Sequence, residues 1–164
     1  QGIKDGTLQV IATDHCSFDF HGDKQNGKDD FTKCPNGAPG VETRMPIVFS
    51  EGVSKGRLSL NEFAAVTSTN PAKIFGMYPK KGVLAPGSDA DIVLMNPDME
   101  VTITKNILHE NVDYTPYEGI QVKGWPVMTM VRGQAVVENE RLQVPLGFGR
   151  YINRKPVKYT ELLK

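Results

Sequence analysis

Asp14 closes the run Leu8-Gln9-Val10-Ile11-Ala12-Thr13, a largely apolar stretch that leads into His15 and Cys16. A short buried strand with an acid at its C-terminal tip is how α/β barrels present a catalytic residue or a metal ligand. A carboxylate placed there can ligate a divalent ion and accept a proton from attacking water. The alternative for Asp14 is a cap on the turn that follows. His15 cannot share Asp14's direction on a regular strand, because successive side chains face opposite ways, so it reads as a supporting or packing residue. His21 and His109 are the remaining histidines, with no H-x-H or H-x-x-x-H spacing, and both read as loop or surface residues. Asn36 lies in Pro35-Asn36-Gly37, strong turn chemistry. It is either a plain turn residue or a point where backbone groups meet a small polar ligand.

The wider composition limits what such residues can serve. Cys16 and Cys34 are the only cysteines, at a separation that matches no zinc finger. The opening Gln1-Gly2-Ile3-Lys4-Asp5 has neither the basic nor the apolar region of a signal peptide. Free thiols and a cytoplasmic location are therefore expected. Lys+Arg and Asp+Glu are both 19, so formal net charge is zero. No long-range positive field is available for nucleic acid or an anionic membrane, and no apolar run approaches the roughly 20 residues that cross a bilayer. With 164 residues, 39% of them hydrophobic, the chain can build one ordinary core.

The elements that must position these residues follow from local pattern. Phe18 to Gly40 reads as a long polar loop, of the kind that lies over an active-site mouth. A helix is expected within Val41 to Ser50, with Pro46 in its first turn and Gly52 as its stop. Ser59-Leu60-Asn61-Glu62 fits a capping box in front of the apolar Phe63, Ala64 and Val66. Asn70-Pro71 reads as a second cap, opening a short helix over Ala72 to Phe75 that ends at Gly76. From Gly82 the apolar period becomes two. Strands are expected at Ala90 to Met95, closed by Asn96-Pro97, and at Val101 to Ile103. Val127 to Arg132 and Gln134 to Glu138 flank Gly133 as a hairpin. Tyr151 to Lys164 is basic, and reads as an end that is disordered or tied down by another subunit.

Taken together, the motifs resemble one family. Thr13-Asp14-His15-Cys16-Ser17-Phe18, Gly27-Lys28-Asp29-Asp30-Phe31-Thr32-Lys33 and Pro35-Asn36-Gly37 resemble the last barrel strand and following loop of the dihydropyrimidinase/D-hydantoinase family. Thr67 to Lys73, Tyr78 to Gly82, Gly87 to Val93, Tyr117-Glu118-Gly119 and Gly147 to Tyr151 continue the match in order. The resemblance implies an α/β fold: the C-terminal end of a metal-dependent (β/α)8 barrel over residues 1–78, part of a β-sandwich over 79–146, and a tail over 147–164 that could contact neighbouring subunits. It implies a cyclic amidohydrolase that opens dihydropyrimidines or 5-substituted hydantoins to N-carbamoyl amino acids by metal-activated hydroxide. Two divalent metal ions, usually zinc, are the implied cofactors, a cyclic amide or ureide the substrate, and a homotetramer the assembly. By resemblance Asp14 is a metal ligand and carries the proton from water to the leaving nitrogen, while the Asn36 main chain holds the ring's amide edge.

The family's H-x-H pair, its carboxylated lysine and its two further histidine ligands have no counterpart here. A barrel of this kind takes about 250 residues, so the chain reads as the C-terminal portion of a longer enzyme, inactive alone. A non-catalytic scaffold like the collapsin-response-mediator proteins is the competing reading, distinguished by replacement of the positions of Asp14 and Asn36. An oligomerisation module is the third.

Overall fold

In the computed structural model, which describes residues 1–157, the Ser59 hydroxyl accepts the Glu62 amide at 3.2 Å, and Glu62 accepts the Ser59 amide at 2.7 Å. This capping box satisfies two amides that a helix start would otherwise leave bare, and α2 (Leu60–Ala64) begins there. The helix does not stop and restart at Asn70 as expected. It widens into a π-type stretch, Ala65–Thr69, and runs on into α3 (Asn70–Ile74). Asn70 has helical dihedrals, and its side chain donates instead to the Gln9 carbonyl at 2.8 Å. A π-type widening is where a helix accommodates the amide that Pro71 lacks. Gly76, at φ +67°, ends the run as expected.

α1 (Arg44–Val48) carries Pro46 in its opening turn, and continues as a π-type stretch over Phe49–Ser54. Gly52 is not its stop. The helix passes through it because a Cβ at Gly52 would lie 2.8 Å from the Leu58 side chain, so the missing side chain makes room for the returning segment. Gly56, at φ +67°, turns the chain instead.

Among the described residues four antiparallel strands follow, in the order β1 (Ile92–Thr102), β2 (Gln121–Val131), β3 (Gln134–Glu138) and β4 (Arg141–Leu142). The two strands expected at Ala90 to Met95 and Val101 to Ile103 are one. Asn96-Pro97 does not close β1, because the register slips between Asn96 and Glu100 and the proline sits in that irregularity, where no ladder amide is needed. Arg132 and Gly133, at φ +52° and +79°, form the expected hairpin turn, and Asn139 and Glu140, at +49° and +61°, make another.

Ile103, Leu108, Val122 and Trp125 form the core on one face of the sheet, with Ile47 and Tyr117 packed against them. Phe49 and Phe63 meet edge to face, ring centres 5.4 Å apart. Gly124 lies beneath Phe49, where a Cβ would come within 2.1 Å of the ring. Ser54 donates to the Lys123 carbonyl at 2.9 Å, and Lys123 donates back to Ser50 at 3.0 Å, fastening the helix to β2. Lys81 bridges Asp89 and Asp91 where the chain enters the sheet.

Part of the C-terminal tail is held by its own chain, which neither expectation for Tyr151 to Lys164 described. Lys155 donates its amide to the Gly76 carbonyl at 3.0 Å, and the absence of a Cβ at Gly76 admits the tail. Arg132 grips the Phe148 carbonyl at 2.9 Å and lies over its ring. Residues 158–164 of the expected tail lie outside the described residues. Among the described residues no helix is long and apolar enough to cross a membrane.

Candidate active site

Asp14 stands at the end of a segment held by helices rather than by neighbouring strands. Asn70 donates to the Gln9 carbonyl, Ile11 donates its amide to the Val66 carbonyl at 3.2 Å, and Arg44 donates to the Ile11 carbonyl at 2.9 Å. The buried strand expected over Leu8 to Thr13 is thus not formed among the described residues. Leu8 is 59% exposed, and the Ile11 amide and the Gln9 and Ile11 carbonyls pair with the helical segments in place of a ladder. The chain turns sharply at Asp14, whose φ of +48° lies in the left-handed region that Asp adopts more readily than most residues with a side chain. Thr13 Oγ1 accepts the His15 amide across this turn at 3.3 Å. Asp14 itself is exposed.

His15 anchors the turn from the other side. Its Nδ1 accepts the Gly40 amide at 3.1 Å and the Val41 amide at 3.3 Å, which fits its reading as a supporting residue. One residue on, Cys16 donates its amide to the Ala38 carbonyl at 3.3 Å. Gly37, at φ +120°, packs directly on Cys16, where a Cβ would sit 2.3 Å from the Cys16 carbonyl oxygen. The Pro35-Asn36-Gly37 turn is thereby brought against the Asp14-His15-Cys16 segment, with Asn36 exposed. Cys16 and Cys34 are free thiols, as expected.

The loop between them is more ordered than its composition suggests. It contains 3-10 turns at Lys24–Gly27 and Phe31–Lys33, the second capped by Asp30. Asp113 accepts the Phe20 amide at 2.6 Å and the His21 amide at 3.0 Å, and these bonds hold its carboxyl below the ordinary range. His21 and His109 stay outside the turn, as expected of loop residues. His109, 62% exposed, pairs with Glu42 at 2.7 Å and reaches the Glu140 carbonyl at 3.1 Å. The Glu42 hydrogen bond raises its pKa above the usual histidine value.

Three residues of the site carry no sequence signal. Lys24, Glu110 and Asp113 act on partners 11 to 93 positions away, and no local pattern marks them.

The amidohydrolase family model matches residues 1–136. The chain belongs to the amidohydrolase family. Over 161 residues it is 47% identical to the D-hydantoinase of Geobacillus stearothermophilus, covering 98% of this chain and 34% of that protein. It is 46% identical to the D-phenylhydantoinase of Escherichia coli O1:K1 / APEC, covering 94% and 34%. The crystal structure of dihydropyrimidinase from Brevibacillus agri NCHU1002 superposes with a TM-score of 0.93 at 50% identity, over 96% of this chain and 34% of that one. The chain thus spans about a third of the length of the curated relatives it matches, and the resemblance read from its motifs holds over nearly all of it.

Members of this family are generally metal-dependent. Among the described residues no three His, Cys, Asp or Glu side chains are grouped so as to hold an ion. Asp14 offers one carboxylate, short of the four to six ligands that zinc and related ions take. The described residues of this family member do not by themselves fit a metal centre.

Proposed function

We propose that this chain supplies one corner of the active site of a cyclic amidohydrolase that opens the ring amide of dihydropyrimidines or 5-substituted hydantoins to N-carbamoyl amino acids. In this reading residues 1–78 are the C-terminal end of a (β/α)8 barrel, 79–146 are part of a β-sandwich, and 147–164 are the tail, with the remaining strands and the other metal donors belonging to a longer polypeptide. The observation that carries the reading is the packing of the Asp14-His15-Cys16 segment, through Cys16, against the turn that holds Asn36. Two chain segments are locked together by the Cys16–Ala38 hydrogen bond and the contact of Gly37 with Cys16. An exposed carboxylate and an exposed turn are thereby carried on two segments that touch.

Each partner has a definite task. Ring opening adds water across a C–N bond: the water oxygen bonds the carbonyl carbon, and the nitrogen leaves with a proton. The Asp14 side chain takes the proton from water and returns it to the nitrogen. The backbone N–H and C=O of Asn36 pair with the ring's complementary amide edge away from the bond that breaks, which holds the substrate in the site. Two divalent ions, zinc by family resemblance, would supply Lewis acidity with donors from outside this chain. The assembly in this reading is a homotetramer.

The test is direct. The purified full-length protein, incubated with a dihydropyrimidine and with a 5-substituted hydantoin, releases the matching N-carbamoyl amino acid, read by chromatography. Failure to open either ring under metal-replete conditions would remove the reading.

A further inference from the structure

We propose that Lys24 is a positioning residue that fixes the main chain of Asn36 for substrate binding; the inference rests on the reading of Asn36 as a substrate contact. Lys24 Nζ lies 2.5 Å from the Pro35 carbonyl oxygen and 2.5 Å from the Gly37 carbonyl oxygen. These carbonyls belong to the residues on either side of Asn36. A single half-buried ammonium group therefore grips the chain immediately before and immediately after the residue whose backbone meets the ring.

The clamp matters because the contacts with the Asp14-His15-Cys16 segment reach the turn only from Gly37 onward. Gly37 is glycine at φ +120°, a position with wide conformational freedom. Its packing against Cys16 and the Cys16–Ala38 hydrogen bond hold the far side of the turn, and neither involves Pro35 or Asn36. Charge-assisted hydrogen bonds from one cation to the Pro35 and Gly37 carbonyls fix the chain on both sides of Asn36, and such bonds are stronger than neutral ones. Backbone recognition of a flat amide edge needs N–H and C=O aimed before the ligand arrives, since ordering them on binding weakens affinity.

Lys24 is itself held in place. Its amide donates to the Asp19 carbonyl at 3.1 Å, and the Gln25 amide to the Phe20 carbonyl at 3.1 Å. Phe20 and His21 are in turn fastened by Asp113. The Phe18 ring lies 5.4 Å from the ammonium and shields one side of it. A chain of contacts thus runs from Asp113 through the Lys24–Gly27 turn to Asn36.

A backbone contact to a part of the substrate that does not react is made equally in the ground and transition states, so its loss raises KM and spares kcat. The experiment compares wild type, Lys24→Met and Lys24→Arg in the full-length protein by hydrogen exchange of the peptide spanning residues 35–38 and by steady-state kinetics on a dihydropyrimidine. In Lys24→Met we expect faster exchange in that peptide and a KM raised about tenfold with kcat within about twofold. Lys24→Arg, which keeps a cation with several donors, recovers both in part. Unchanged exchange in Lys24→Met would overturn the clamp whatever the activity. Faster exchange with KM unchanged, or with kcat and KM degraded together, would overturn its role in binding. A wild-type protein that opens no ring would remove the proposed function and the binding role with it, while exchange still decides the clamp.

Discussion

The Glu110 carboxylate stands 3.8 Å from His15 Nδ1, the nitrogen that already accepts two backbone amides beside Asp14. Glu110 accepts the Glu42 amide at 3.2 Å, which ties its side chain to the backbone just beyond the loop that carries Asn36. It does so at a cost, since its side chain is only 5% exposed and its Oε2 has no partner among the described residues.

Glu110→Ala strands the Glu42 amide and is expected to destabilise the protein by about 1–3 kcal/mol. Glu110→Gln keeps an acceptor for that amide and loses less. Urea midpoints of the two variants check the order, and an equal loss in both would assign the effect to charge instead.

His109 and Glu42 give a pH signature. The His109 pKa is raised above its unfolded value, so its contribution to stability is full below about pH 6.5 and is lost as pH rises through the folded value. His109 is largely exposed, so solvent keeps the effect small. Wild type should exceed His109→Gln in stability by more near pH 6 than near pH 9, measured by denaturant titration. The opposite trend would show that the pair is not formed.

Gly124 is a packing requirement. A Cβ there would meet the Phe49 ring at 2.1 Å on a backbone already at φ +103°. Gly124→Ala should cost about 2–5 kcal/mol and loosen α1 from β2, seen as a lowered Tm. Gly22, at φ +97° with open space around it, serves as the comparison, because only backbone strain applies there.

What could be read from sequence was local. Ser59 and Glu62 are three residues apart, and their capping box forms because both partners lie within one turn. The Gln134 to Glu138 strand and its Gly133 turn are legible for the same reason. Asn70 and Gly52 misled because each is a common helix boundary residue, while tertiary contacts with Gln9 and Leu58 decide its conformation. Pro97 misled because a strand can slip register around a proline. Asp14 and Asn36 stand out by residue type and turn pattern alone, whereas the contacts that bring their segments together come from Cys16, Gly37 and Ala38, whose roles depend on folding.

The most direct test is turnover of the full-length protein with Asp14 replaced by Ala and by Asn, with folding checked by circular dichroism. Ring opening should fall about 1,000-fold in both variants, because neither can carry the proton from water to the leaving nitrogen. Folded variants that turn over substrate at the wild-type rate would contradict the assignment of Asp14.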